Sequence, residues 1–94
     1  MGVIKSLKGR GLRLLYERGD SRGIHAELAG TVEKVLNLLD SADSPKALDL
    51  PRYRLHALKG DRAGYWAVTI RANWRIIFRI QDGHATDVEL IDYH

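Results

Sequence analysis

Between Arg52 and Arg79 the chain sets seven lysines and arginines against one acid, Asp61, and threads them with Tyr53, His56, Tyr65, Trp66 and Trp74. Asp92-Tyr93-His94 then brings together three titratable groups of different pKa. Guanidinium forks suit phosphate oxygens, and histidines that titrate near neutral pH can both take and give protons. Together they point to chemistry on a phosphate backbone. There is no cysteine for a thiolate zinc site, and His25, His56, His84 and His94 lack the close spacing of metal ligands. No metal or cofactor is expected.

Taken singly, these residues have ordinary readings. His56 could be a surface histidine, Lys59-Gly60-Asp61-Arg62 a polar hairpin loop and His94 a frayed end. Trp66 and Trp74 read as core residues, and Asp92 could simply pair with a neighbouring arginine.

The charge pattern supports the phosphate reading. The formal net charge is only +3, yet residues 1–25 carry six lysines and arginines against Glu17 and Asp20, while residues 26–51 and 80–94 are net acidic. Two basic segments converging on one face would make a footprint for nucleic acid. At 94 residues and 45% hydrophobic content the chain is expected to be one domain with one core, spanning residues 1–94. Lys5, Lys8 and Arg10 interrupt any secretory apolar stretch and no apolar run could cross a membrane, so a cytoplasmic protein is expected.

Periodicity supplies the elements that must position these groups. Gly2 to Ser6 predicts a short strand, and Gly9 to Arg18 a basic helix with Leu12, Leu15 and Tyr16 on one side. After a turn in which Asp20 or Ser21 could cap the next helix, Ile24, Leu28, Val32, Val35, Leu36 and Leu39 recur at helical spacing as far as about Asp40. Pro45 starts a short helical turn, which Pro51 keeps from running on. From Tyr65 the period becomes two: strands are predicted at 65–72, 74–81 and about 85–94, with a tight connection at Asn73 and a hairpin turn over Gln81 to His84. The fold class is α+β, with N-terminal helices packed on one face of a small antiparallel sheet.

Alternation puts Trp66, Val68, Ile70, Trp74, Ile76, Phe78 and Ile80 on the apolar face and leaves Arg71, Arg75 and Arg79 on an open, basic one. In the last strand Val88 and Leu90 should point inward, and strict alternation would send Asp92 with them. Burying an ionised carboxylate is costly, so either the strand is expected to end or bulge near Asp92 or the terminus to run past the sheet edge.

Leu55-His56-Ala57-Leu58-Lys59-Gly60-Asp61-Arg62-Ala63-Gly64-Tyr65-Trp66, then Ile70-Arg71-Ala72-Asn73-Trp74-Arg75-Ile76-Ile77-Phe78, and the closing Asp92-Tyr93-His94 resemble the HigB toxins, a branch of the RelE superfamily of bacterial toxin–antitoxin systems. The N-terminal stretch from Ile4 to Gly19 is similar too, so the resemblance spans essentially the whole chain. It implies a RelE-like fold and a ribosome-dependent endoribonuclease that enters the decoding site, cuts messenger RNA in the A site and so inhibits translation. The catalytic residues carried over are His56, Lys59, Arg75, Asp92, Tyr93 and His94. Arg62 and Arg71, with Lys5, Lys8, Arg10 and Arg13, would meet 16S ribosomal RNA. A HigA-like helix-turn-helix antitoxin is the implied partner, and operator DNA would be reached only through it.

Metal-free RNA cleavage needs a base for the ribose 2′-hydroxyl, an acid for the leaving 5′-oxygen, and cations for the phosphorane charge. His56 and His94 suit the first two tasks in either order, and Lys59, Arg62 and Arg75 the third. Tyr93, a poor proton carrier near its ordinary pKa, suits stacking on a base or orienting the phosphate. Asp92 would orient His94 or hold its imidazolium form. The alternatives are a non-catalytic module that binds RNA or an antitoxin, and a gyrase inhibitor of the ParE kind. Neither needs the proton-transfer pair.

Overall fold

Leu12 and Leu15 give the first helix, α1 (Arg10–Arg18), its buried stripe. It stops at Gly19, whose φ of 67° is the left-handed conformation glycine adopts without strain, so that the Gly19 and Asp20 amides can turn back to the Leu15 and Leu14 carbonyls at 3.0 and 3.3 Å. The computed structural model describes residues 3–92 of the chain. Helix α2 (Ala26–Ser41) follows, and Leu28, Val32, Val35, Leu36 and Leu39 form its buried stripe.

α2 starts two residues later than the periodicity predicts, and neither Asp20 nor Ser21 caps it. Asp20 is already engaged: its carboxylate accepts from the Arg22 amide at 3.0 Å and from the Arg22 guanidinium at 2.8 Å. That charged grip holds the Asp20 pKa down at about 2, chiefly through the Arg22 side chain. The same turn touches α1 backbone to backbone, since a Cβ on Gly11 would sit 2.5 Å from the Gly23 carbonyl oxygen. Glycine is required there.

The chain then crosses the sheet end through two short 3-10 turns, Pro45–Leu48 and Pro51–Tyr53, which bury Leu48 and Tyr53. The sheet is an antiparallel meander, β1 (His56–Ala57), β2 (Trp66–Arg71), β3 (Trp74–Gln81) and β4 (His84–Asp92), in the order β1-β2-β3-β4. Asp82 and Gly83, at φ of 52° and 77°, join β3 to β4 through a turn with two left-handed residues, which matches the twist of a hairpin. Val68, Ile76, Phe78, Ala85 and Val88 face the helices and complete the core.

Ile4 and Leu7 lie parallel to β4 as isolated bridges to Ala85 and Val88, in place of the short strand expected at Gly2 to Ser6. β4 carries an extra residue between those two partners, and the ladder cannot run through it. A second tether fixes the segment from the helical side. Asp40 accepts hydrogen bonds from the Tyr16 hydroxyl and the Ile4 amide. Burial and this bond push the Tyr16 pKa up.

Two bulges change which side chains share a face. In β2 the pairing passes from Thr69 with Arg75 to Arg71 with Trp74, so Ile70 is one residue too many. Cross-strand partners share a face, and Arg71 is thereby turned onto the helical side with Trp74. It does not join Arg75 and Arg79, as alternation predicted, and instead meets Glu27 of α2 at 3.8 Å. In β4 the shift falls between the pairs Ile77 with Glu89 and Arg79 with Thr86, centred on Asp87 at φ 52°. This lets Ala85 and Val88, an odd number of residues apart, both point into the core.

Candidate active site

The face of the sheet opposite the helices is organised in rows. The middle row runs His56, Ala67, Ile77, Glu89, and the next runs Thr69, Arg75, Ile91. On the other side, Tyr65 precedes β2 opposite Arg79, whose partner in β4 is Thr86. Ala67 and Ile77 are each only 2% exposed, so the face has an apolar floor ringed by polar groups, not the uniformly open basic surface expected from alternation.

His56 stands exposed on the edge strand at one end of that floor. Its Nδ1 lies 2.9 Å from the Arg54 carbonyl oxygen, which can only accept. Nδ1 therefore carries the proton of this bond and Nε2 is left for outside partners, accepting when the ring is neutral and donating when it is charged. Arg75 lies on the same face, two strands across and one row along, at about 12 Å between Cα atoms from strand spacing and rise. Its Nη1 donates to the Ala72 and Trp74 carbonyls at 2.5 and 3.1 Å, which pins the guanidinium over the tight turn holding Asn73.

Lys59 and Arg62 project from the loop between β1 and β2, around the 3-10 turn Gly60–Arg62. The Leu58 amide to the Tyr65 carbonyl at 2.9 Å and the Tyr65 amide to the Arg62 carbonyl at 3.0 Å close this loop. With Leu58 and Asp61 the two cations line a pocket of about 390 Å³.

Asp92 takes a different place. β4 reaches it without a bulge there, and it pairs with Trp74, on the helical side of the sheet but exposed at the rim. The bulge of this strand lies at Asp87, and the rim position spares the Asp92 carboxylate from burial. His25 packs its ring 5.6 Å from that of Trp74 at the same corner. Tyr93 and His94 lie outside the described residues.

The basic segments do not merge into one patch. Lys5 and Lys8 donate their backbone amides to Ala85 and Val88 along the β4 edge, with Arg10 and Arg13 following in α1, whereas Lys59 and Arg62 flank the β1 edge. The cations thus stand on both sides of the sheet, with the apolar floor between them.

Sequence reasoning gave Arg79 a face but no task, and gave Tyr65 none. The Arg79 guanidinium carbon lies 5.5 Å from the centroid of the Tyr65 ring, with the Asp87 carboxylate 3.9 Å from its Nη1. Alternation places Tyr65 and Arg79 on this face but not Asp87, because no glycine or proline marks its bulge.

Comparison with known proteins places the chain. A family model described as "RelE-like toxin of type II toxin-antitoxin system HigB" matches residues 5–94. The chain is 44% identical over 92 residues to "Endoribonuclease HigB" of Proteus vulgaris, which covers 98% of this chain and 100% of that protein. Among solved structures it is similar to the YoeB dimer from Staphylococcus aureus, with a TM-score of 0.62 at 14% identity over 99% of this chain and 97% of that one. The YoeB/ParE toxin from Agrobacterium tumefaciens superposes with a TM-score of 0.59 at 20% identity over 100% and 99% of the two chains. At those identities the structures speak for the fold alone. With helices on one side of a four-stranded antiparallel meander and a full-length family match, the chain belongs to the HigB-like branch of the RelE-like toxins of type II toxin–antitoxin systems.

Proposed function

We propose that this toxin cuts messenger RNA in the ribosomal A site, without metal, by attack of the ribose 2′-hydroxyl on the adjacent phosphate. That the chain is an endoribonuclease toxin follows from its family and its full-length relative. The observation that supports the finer reading is His56, tied through Nδ1 to Arg54 and presenting Nε2 on the same sheet face as the pinned Arg75.

In this mechanism the 2′-oxygen bonds to phosphorus, the bond to the 5′-oxygen breaks, and the products are a 2′,3′-cyclic phosphate and a free 5′-hydroxyl. His56 and His94 share the two proton transfers. Lys59 and Arg75 stabilise the charge of the crowded phosphorane, and Tyr93 orients the phosphate or stacks on a base. Asp92, exposed at the rim on the helical side of the sheet, holds His94. Lys5, Lys8, Arg10, Arg13 and Arg62 meet 16S ribosomal RNA from the two edges of the sheet and Arg71 from its helical side, and the ribosome supplies the alignment that an open site lacks.

As a type II toxin the chain has an antitoxin partner. We take that partner to be a HigA-like helix-turn-helix protein that carries the pair to operator DNA, and the setting to be the cytoplasm. The described residues contain no helix long and apolar enough to cross a membrane.

The experiment is to map transcript ends after brief induction and to compare purified toxin on naked and on ribosome-bound message. Cuts in translated frames bearing cyclic phosphate, with naked RNA left largely intact, are expected. Efficient cutting of protein-free RNA at matched concentrations overturns the ribosome dependence, and 3′-hydroxyl ends overturn the 2′-hydroxyl chemistry.

A further inference from the structure

We propose that Tyr65 and Arg79 form a stacking shelf for the base of a nucleotide next to the cleaved bond, an inference that rests on the ribonuclease reading above. The pair borders the floor on the side opposite Arg75: Arg79 follows Ile77 by two positions and Arg75 by four on the same strand face, the latter about 13 Å away along the strand. A strand of RNA laid across His56 and Arg75 would bring a neighbouring nucleotide over this row.

Among the described residues, the row holds Arg79 only through the Tyr65 ring and a long ion pair with Asp87. Its register partner Thr86 is buried with Oγ1 unpaired, so the guanidinium does not satisfy the hydroxyl beside it. Asp87 at 3.9 Å is beyond hydrogen-bond reach. What holds Arg79 is the face of the Tyr65 ring at 5.5 Å and the attraction of that carboxylate, with 39% of the side chain still exposed. Gly64 sits directly beneath: a Cβ there would lie 3.9 Å from Nη2.

The bulge supplies an independent observation. Asp87 adopts φ 52°, a left-handed conformation in the middle of a strand, and its amide is diverted to Ser6 Oγ at 2.8 Å. Bulges gather beside sites because they re-aim a side chain, and this one turns a carboxylate toward Arg79. The choice of ligand follows. Asp87 offsets the charge of Arg79 and repels phosphate, so a neutral, planar group is favoured. Single-stranded RNA is read by stacking its bases on aromatic rings and guanidinium planes.

The test uses the whole toxin with ribosomes programmed by a synthetic message, intact or bearing one abasic nucleotide at each position flanking the cut in turn. On intact message Arg79→Ala should raise KM by about 5- to 100-fold, the range for losing one base–side-chain stack, and leave kcat within a few-fold. Arg79→Lys should behave like the alanine variant, because it keeps the charge and loses the plane. It also keeps the stem over Thr86 and carries the comparison if the alanine variant melts early. At one abasic position the wild type should fall to the level of the variants, which then lose nothing further. Full rescue by lysine, or no position at which base and Arg79 are coupled, overturns the shelf while cutting by the wild type leaves the ribonuclease reading standing. If the wild type cuts no message at all, that reading fails and the shelf with it.

Discussion

Arg71 and Glu27 face each other at 3.8 Å across the junction of sheet and helix only because Ile70 is a supernumerary residue in β2. Both side chains are 63% exposed, so the pair contributes little to stability. Arg71→Ala should change the free energy of unfolding by less than about 0.5 kcal/mol. If Arg71 also meets a ribosomal phosphate, the same variant should lower the slope of log affinity against log salt by about 1, read in a pelleting assay.

Arg75 separates chemistry from docking. Arg75→Ala should lower the single-turnover cleavage rate by about two to three orders of magnitude, and ribosome affinity much less, since Lys5, Lys8, Arg10, Arg13, Lys59 and Arg62 remain. Lysine at 75 should restore part of the rate, keeping charge without the fork that grips the Ala72 carbonyl. Equal loss of rate and affinity would make Arg75 a docking residue.

Removing the imidazole of His56 should reduce the rate by about 10²- to 10⁴-fold, the usual scale for one proton-transfer group, and barely move the melting temperature of a side chain this exposed. Rapid-quench cleavage and thermal melts of His56→Gln decide it, and a rate within threefold of wild type removes His56 from catalysis.

How far the fold and site could be read beforehand follows from which signals are periodic. Leu28, Val32, Val35, Leu36 and Leu39 declare α2, and the alternation from Trp66 to Phe78 declares the central hairpin, because burial of one stripe or one face leaves a period in the sequence. His56, Lys59 and Arg75 were legible as types, and the face of Arg75 as a position. The two bulges were not. A bulge breaks the period by one residue, and Ile70 and Asp87 carry no glycine or proline to announce it. Hence alternation alone puts Arg71 on the wrong face and misses the bulge at Asp87. The capping role assigned to Asp20 failed for a different reason: an arginine two residues on outcompetes a helix terminus for the carboxylate.

That competition has a signature in acid. The Asp20 carboxyl is held at about 2 against an ordinary 3.8, so the unfolded chain binds more protons there between those values. The contribution of Asp20 is fully present above its unfolded pKa and is lost as pH falls through its folded one. Urea unfolding of wild type and Asp20→Asn should show the difference between them shrinking across that window, and a difference independent of pH would mean the grip is absent in solution.

At the alkaline end the sign reverses, because Tyr16 ionises less readily in the fold than at its ordinary 10.0. Its contribution is complete below that value and is lost as pH rises through the raised one. Tyr16→Phe should destabilise by about 1 kcal/mol at neutral pH, the net value of a typical hydrogen bond, and remove the extra alkaline slope. An unchanged slope on chemical denaturation would exclude the bond to Asp40.

The bridges from Ile4 and Leu7 to β4, with Ser6 taking the Asp87 amide from 81 residues away, set the order in which this molecule can become dangerous. Helices α1 and α2 close on local contacts as the nascent chain emerges, but β4 is translated after them and after β1, β2 and β3, and the segment from Ile4 to Leu7 has no edge to pair with until it arrives. A half-made chain therefore has no floor, no bulge and no rim. On the ribosome-dependent reading proposed above, a chain paused or truncated short of β4 cannot attack the ribosome that is synthesising it.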